Sequence, residues 1–296
     1  MQKAVNHYFS DKVFRLLVVL VAFCCFAITL FPFLYVVAVS FSSAAAGYAG
    51  RVFLWPVEFT LAGYKQVLTQ SGLWQNYGNT IFYTVVGTVC NIVTTALMAY
   101  PLSRPTFSGR KFLNFFIAFT MYFSGGLIPT YLVITRLGLY NSRLVMILPS
   151  LLSTYNVMIC RSAFSELPQD LIDCAKIDGA HEGIIFSKVA VRLITPTRAV
   201  LTLYYAVGHW NEYFTALLYL SRKELQPVQI LLRRVLIQSS GEMMSAGGAM
   251  VGSTKNAATL QVRYVTIVVT TIPILTIYPF LQKYFVKGIM LGAIKG

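Results

Sequence analysis

The chain has 296 residues, 56% of them hydrophobic and only 11% charged, with a formal net charge of +14. That balance excludes an ordinary soluble core and points to a chain that crosses a membrane several times. No Gly-rich loop ends in Lys-Ser or Lys-Thr, no Ser/His/Asp constellation is evident, and no His/Cys cluster has metal-ligand spacing, so neither ATP hydrolysis nor any other catalysis is expected of this chain itself, and no cofactor of its own. Four of the cysteines, Cys24, Cys25, Cys90 and Cys160, fall within or at the ends of apolar runs, and Cys174 in a charged loop, so no structural disulfide is expected.

A spanning helix needs about 20 apolar residues, and six stretches qualify: 16–41, 80–100, 112–134, 144–160, 193–220 and 262–282. Residues 1–15 form a polar lead. The first span is too long for a cleaved signal peptide and reads as a retained helix. The loop over 42–79 carries Trp55, Tyr64, Trp74 and Tyr77, aromatics of the kind that sit at lipid headgroups. Asn79 is expected to cap the second helix. The third span contains Phe123-Ser124-Gly125-Gly126-Leu127-Ile128-Pro129, which predicts a broken or closely packed helix, because freed backbone groups inside a membrane need other partners. The fourth is short and carries Pro149.

The fifth span reads Tyr204-Tyr205-Ala206-Val207-Gly208-His209-Trp210-Asn211-Glu212 towards its end. At about 100° per residue, Thr202, Tyr205, His209 and Glu212 share one stripe, with Tyr204, Gly208, Asn211 and Thr215 beside it. Leu203, Val207, Trp210, Phe214 and Leu217 lie opposite, facing lipid or apolar packing. Ionisable groups inside a membrane cost about 2.5 kcal/mol or more. Tyr205, His209, Asn211 and Glu212 are therefore candidates for a translocation pathway or a subunit interface, and an interhelical hydrogen bond is the rival reading. Residues 221–260, rich in glycine and with little periodicity after Gln238, read as one long loop.

Between the fourth and fifth spans lies 166–196, which holds Glu166, Asp170, Asp173, Asp178 and Glu182, five of the chain's ten carboxylates. Such a segment cannot cross a bilayer. Pro168 suits the start of a short helix and Gly179 its left-handed end, with Leu167, Leu171, Cys174, Ala175 and Ile177 on or near one face. A second helix from His181 would carry Ile185, Phe186 and Val189 on one side. Asp173-Cys174-Ala175, Asp178-Gly179-Ala180, Phe186, Val189 and Pro196 resemble the EAA loop of ATP-binding-cassette importer permeases. Asp173 stands where that family usually has Glu, Cys174 where it has Ala, and Arg192 where a Leu-Pro pair usually ends. The 123–131 string is similar to the maltose-type, oligosaccharide-importing branch, in a subgroup that takes complex and acidic saccharides such as alginate.

The resemblance implies an all-α membrane protein with the type I importer permease fold: six transmembrane helices over 16–284, both termini cytoplasmic, and a cytoplasmic tail over 285–296. Basic residues in the N-terminal lead, in the second loop and in the tail agree with that orientation. Asp173, Ala175, Asp178, Gly179, Ala180 and Phe186, within the loop 166–192, would couple the chain to an ATPase. Gly241, Gly247 and Gly248, in the outer loop, would contact a solute-binding protein. The implied assembly has a second permease subunit, forming a heterodimer, two ATPase subunits that bind ATP and Mg, an extracytoplasmic binding protein and surrounding lipid, with no nucleic acid, in a bacterial inner membrane. With this topology the outer loops and helix ends carry ten basic residues, from Arg51 to Arg263, against Glu58, Glu224 and Glu242. An excess of that size is expected inside but not outside. It favours an acidic, alginate- or pectin-type oligosaccharide. A neutral maltodextrin-like sugar is the alternative, and a secondary transporter a remoter one.

Overall fold

Apolar runs make long helices here, and the breaks fall where glycine, proline or a charged side chain interrupts them. The computed structural model describes residues 2–245 and 257–276, with side chains placed over 14–237 and 257–276. In chain order the helices are α1 (Gln2–Ser40), α2 (Ala44–Tyr48), α3 (Ala62–Leu68), α4 (Leu73–Ser103), α5 (Arg110–Tyr122), α6 (Leu127–Arg136), α7 (Thr154–Ser165), α8 (Gln169–Ile177), α9 (Glu182–Ile184), α10 (Val191–Leu193), α11 (Thr195–Asn211), α12 (Phe214–Tyr219) and α13 (Val228–Ser245), then α14 (Ala257–Thr276). Among the described residues all regular structure is helical.

Phe14–Ser40, α4 and α14 are each long and apolar enough to cross a membrane. Two further crossings are bent pairs: α5 with α6, at 115°, and Arg143–Ser150 with α7, at 52°. The first bend confirms the break expected from the Gly-Gly-Pro string. Gly126 there has φ +82 and ψ 175, a backbone conformation open only to glycine. The expected fifth span, 193–220, is two helices, because α11 stops at Asn211 and α12 restarts at Phe214. Two other expectations need correction. Helix α4 begins at Leu73, after Gly72 at φ 92, so Asn79 lies inside the helix and caps nothing. The supposed loop 221–260 contains α13 and the first residues of α14, because residues from Val228 keep a helical run through Gly241.

The described residues divide into two compact units, one running to Gln70 with those of Leu232–Thr271, the other Ser71–Leu231 with those from Ile272. The first holds α1 to α3 and most of α14. Ala38, Val39, Ala46 and Val52 form its small core. Gln261 donates to the Ser42 carbonyl at 2.8 Å, Gly63 lies so close to Gln261 that an added Cβ would be 3.0 Å from it, and Tyr35 meets Tyr264 edge-on at 5.9 Å. Of the aromatics expected at the headgroups, Trp55 and Trp74 are exposed, whereas Tyr77 is buried and Tyr64 stacks on Phe41.

In the second unit α4 is the axis, packed chiefly against α11 and α7. At about 1.5 Å per residue it is about 46 Å long. Near its start, Asn79 donates to the carbonyls of Glu224 (2.6 Å) and Gln226 (3.2 Å), Tyr83 to that of Leu225 (2.8 Å), and Thr80 accepts from the Val228 amide (2.8 Å). Near its other end Ala96, Ala99, Tyr100 and Leu102 join Val157, Cys160, Phe164, Ala190, Ile194 and Leu201 in a core. Apolar area drives little helix association inside lipid, so small residues and interhelical hydrogen bonds carry much of the packing.

Candidate functional site

Two places in the second unit carry charge or polar groups where an apolar bundle should not: the segment from α8 to α10, and a cleft beside the end of α11.

Helix α8 starts after Pro168 and ends as its residue pattern predicts. Gly179 has φ +78, its amide donates to the Lys176 carbonyl (3.0 Å), and the Ala180 amide donates to the Ala175 carbonyl (2.9 Å). These two bonds are the Schellman turn that a left-handed glycine permits. His181 then caps α9, its Nδ1 accepting from the Gly183 amide at 3.2 Å. A π-helical turn, Ile185–Ala190, links α9 to α10. Asp173 is exposed and accepts from Gln169 at 3.1 Å, and Asp178 is exposed at the helix end. Phe186 is half-buried, its ring 5.1 Å from Tyr100 and 6.4 Å from Phe164. The apolar face of α8 read from the sequence is the one it leaves uncovered. Ile172 is the residue that turns inward, at 2% exposure, while Leu171, Cys174 and Ile177 face outward, Ile177 at 85%. Ile172 alone seats this short helix, which leaves an apolar strip free.

The cleft, of about 400 Å³, is lined by Ser153 and Asn156 of the α7 side, by Tyr204, Tyr205, Gly208 and His209 of α11, and by Glu212 and Thr215 beyond the break. Glu212 Oε1 accepts from the Thr215 amide at 2.9 Å, so the carboxylate caps α12 and the break is stabilised where it falls. Tyr205 and His209 are buried, and their polar atoms turn to α4. The Tyr205 hydroxyl pairs with Thr95 Oγ1 at 2.7 Å, and His209 Nε2 with Asn91 Oδ1 at 2.7 Å. The Asn91 amide nitrogen donates to the carbonyls of Ser150 and, at 2.9 Å, Leu151. With both amide hydrogens so used, Oδ1 is the acceptor, and Nε2 of His209 carries the proton. Asn211 is exposed at the end of α11, and Trp210 is buried against Tyr77, ring centroids 6.5 Å apart. Trp210 does not line the cleft, while Tyr205 and His209 take up interhelical hydrogen bonds. Gly241 lies within α13, and Gly247 and Gly248 lie outside the described residues.

Two features escaped the sequence reading. One is the polar stripe on α4, Asn76, Thr80, Thr84, Thr88, Asn91 and Thr95, spaced three or four apart along one face. All but Thr84 are buried residues, and the hydroxyls of Thr84 and Thr88 have no hydrogen-bond partner among the described residues. Its spacing was legible. The other is Gly87, where an added Cβ would lie 2.5 Å from His209 Nε2, so the histidine can reach Asn91 only because residue 87 has no side chain.

Residues 92–291 match the family described as the inner membrane component of binding-protein-dependent transport systems. The chain is 38% identical over 291 residues to the polygalacturonan/rhamnogalacturonan transport system permease protein YtcP of Bacillus subtilis, covering 98% of this chain and 99% of that one. It is 41% identical over 272 residues to protein LplC of the same organism, covering 91% and 90%. Among solved structures it is similar to a bacterial ABC transporter involved in the import of the acidic polysaccharide alginate, with a TM-score of 0.85 and 32% identity over 93% of this chain and 98% of that one.

Proposed function

The chain belongs to the family of inner membrane components of binding-protein-dependent transport systems, and from that premise we propose that it is one of two different permease subunits of a bacterial importer of acidic oligosaccharides, uronate chains of the pectin or alginate kind. As a permease subunit of an ABC importer it is not itself catalytic. Six crossings, with both termini cytoplasmic, bring the α8–α10 segment to the inner face, where Asp173, Ala175, Asp178, Gly179, Ala180 and Phe186 serve the contact with an ATPase. The exposed strip of Leu171, Cys174 and Ile177 supports this, since a short charged helix with an uncovered apolar strip is suited to a protein partner. Two ATPase subunits hold ATP and Mg. ATP favours one conformation of the ATPase pair over another, and that difference is what moves the permeases. An external binding protein delivers the sugar, and the segment over 221–260 is its contact on this subunit. The cleft beside Glu212 borders the pathway.

The observation that carries the substrate reading is the near full-length similarity to a polygalacturonan/rhamnogalacturonan permease. One observation favours a neutral oligosaccharide instead: the Glu212 carboxylate lies on the cleft and would repel a uronate. The test is ATP hydrolysis by the purified complex with its binding protein. Stimulation by uronate oligomers but not by maltodextrins is expected. The reverse result would overturn the acidic reading and leave the importer assignment standing.

A further inference from the structure

We propose that Tyr100 and Glu182 form the joint through which movement of the α8–α10 segment passes into α4, and from there to the cleft beside Glu212. Both are positioning residues for the transport cycle, and the proposal rests on the importer reading above.

Tyr100 sits at the end of α4, is 7% exposed, and gathers three elements around one ring. Its hydroxyl donates to Glu182 Oε2 at 3.1 Å. Its ring meets Phe164 of α7 edge-on at 5.4 Å and Phe186 at 5.1 Å. The Arg104 guanidinium lies over the ring, 4.5 Å from its centroid. Arg104 Nε and Nη2 are shielded from solvent and have no hydrogen-bond partner among the described residues, and the ring face lies against them. Glu182 uses its second oxygen too, pairing with Lys176 of α8 at 3.3 Å. One carboxylate therefore ties α8 to α4.

The space around this tie is open. A cavity of about 570 Å³ lies between the α4–α5 turn and the α8–α9 segment, lined by Arg104, Phe107, Ile172, Lys176, Glu182 and Phe186 among others. Helix α8 has room there to move about its buried Ile172, and the hydrogen bond and ring contacts at Tyr100 then transmit the shift. Five and nine residues back along α4, about 7.5 and 13.5 Å along its axis, Thr95 and Asn91 hold Tyr205 and His209 of α11. Glu212 and the helix break follow His209 directly. Hydrogen-bonded groups at the two ends of this stretch of α4 thus link Lys176 to the cleft through one helix, the kind of network that can carry coupling between distant sites.

The test uses the whole complex in lipid nanodiscs. Hydrogen exchange of the peptide covering 204–215 is compared between the nucleotide-free state and the state trapped with ATP and vanadate, a readout that needs no sugar. The wild type is expected to change its exchange on trapping. Tyr100→Phe keeps the ring and removes only the hydroxyl. It should retain assembly with the ATPases and basal hydrolysis, yet lose at least threefold of the exchange change. Glu182→Ala should match it, the double variant should be no worse than either, and Glu182→Gln, which keeps an acceptor, should recover most of the response. A full exchange change in Tyr100→Phe, additive losses in the double variant, or a decline that only tracks loss of assembled complex would overturn the joint. A wild type that does not respond to trapping would overturn the importer reading and the joint with it, whereas a responsive wild type with responsive variants overturns the joint alone.

Discussion

At the scale of single residues, the second unit depends on polar atoms placed where lipid offers them no partner. His209 and Asn91 show how tight the placement is. The histidine reaches the amide oxygen at 2.7 Å only across Gly87. Gly87→Ala would set a methyl 2.5 Å from Nε2, so the ring must move and the bond must break. Breaking a buried hydrogen bond costs about 1–3 kcal/mol, towards the low end inside a bundle. We expect a lower melting temperature for the purified complex carrying Gly87→Ala. Gly208→Ala, one residue from His209, is the control, because nothing lies within 4 Å of its added Cβ and its stability should be unchanged or, with glycine removed from a helix interior, slightly raised. Both variants share the helix gain from replacing glycine, so equal melting temperatures for the two would show that His209 can reseat without loss.

Among the elements, α8 was the most legible and α11 the least. Pro168 and Gly179 punctuate α8 in the sequence because each restricts or frees φ in a way no neighbour can override. Gly179→Val tests this. A β-branched residue at φ +78 is strained by roughly 1–2 kcal/mol, which opens the Schellman turn and turns α9 away from α8. The expected outcome is a permease that still inserts and still hydrolyses ATP in its complex, with transport per ATP reduced severalfold; uptake at the wild-type ratio would mean that the turn is dispensable. The break in α11 was illegible because composition over 193–220 reads as one apolar run, and the decisive signal is a single carboxylate three residues before the amide it caps. Asn79 misled for the opposite reason. Asparagine is a favoured cap, but two carbonyls near residue 225 claimed its amide, so tertiary partners outranked local preference. The glycines after Gln238 suggested loop in the same way, yet α13 runs through Gly241, where a helix tolerates one glycine for about 1 kcal/mol.

For the whole molecule the open question is how its charge is used. The net charge of +14 is spread over both sides of the proposed membrane arrangement. Some of the outer cations are locally engaged: Arg51 pairs with Glu58 at 3.4 Å, and Arg143 lies 5.2 Å from the Phe82 ring centroid. Lys65, Arg136, Arg222 and Lys223 are exposed. The turn carrying Arg222 and Lys223 is held firmly, since Asn141 Oδ1 accepts from the amides of Ser221 (2.7 Å) and Arg222 (3.1 Å). Fixed, exposed cations of one sign steer anionic partners more than they hold them, and the effect is screened beyond about 10 Å at 0.1 M salt. If this field recruits the binding protein or an acidic sugar, the binding-protein concentration giving half-maximal ATP hydrolysis should rise severalfold between about 0.05 and 0.5 M salt, with the maximal rate little changed. Arg222→Ala with Lys223→Ala should reproduce part of that rise at low salt and flatten the salt dependence. If lipid headgroups neutralise these cations instead, neither salt nor the double substitution will shift the half-maximal concentration in anionic nanodiscs, while a shift will reappear in zwitterionic ones. The comparison of the two lipids therefore separates a steering surface from a membrane anchor.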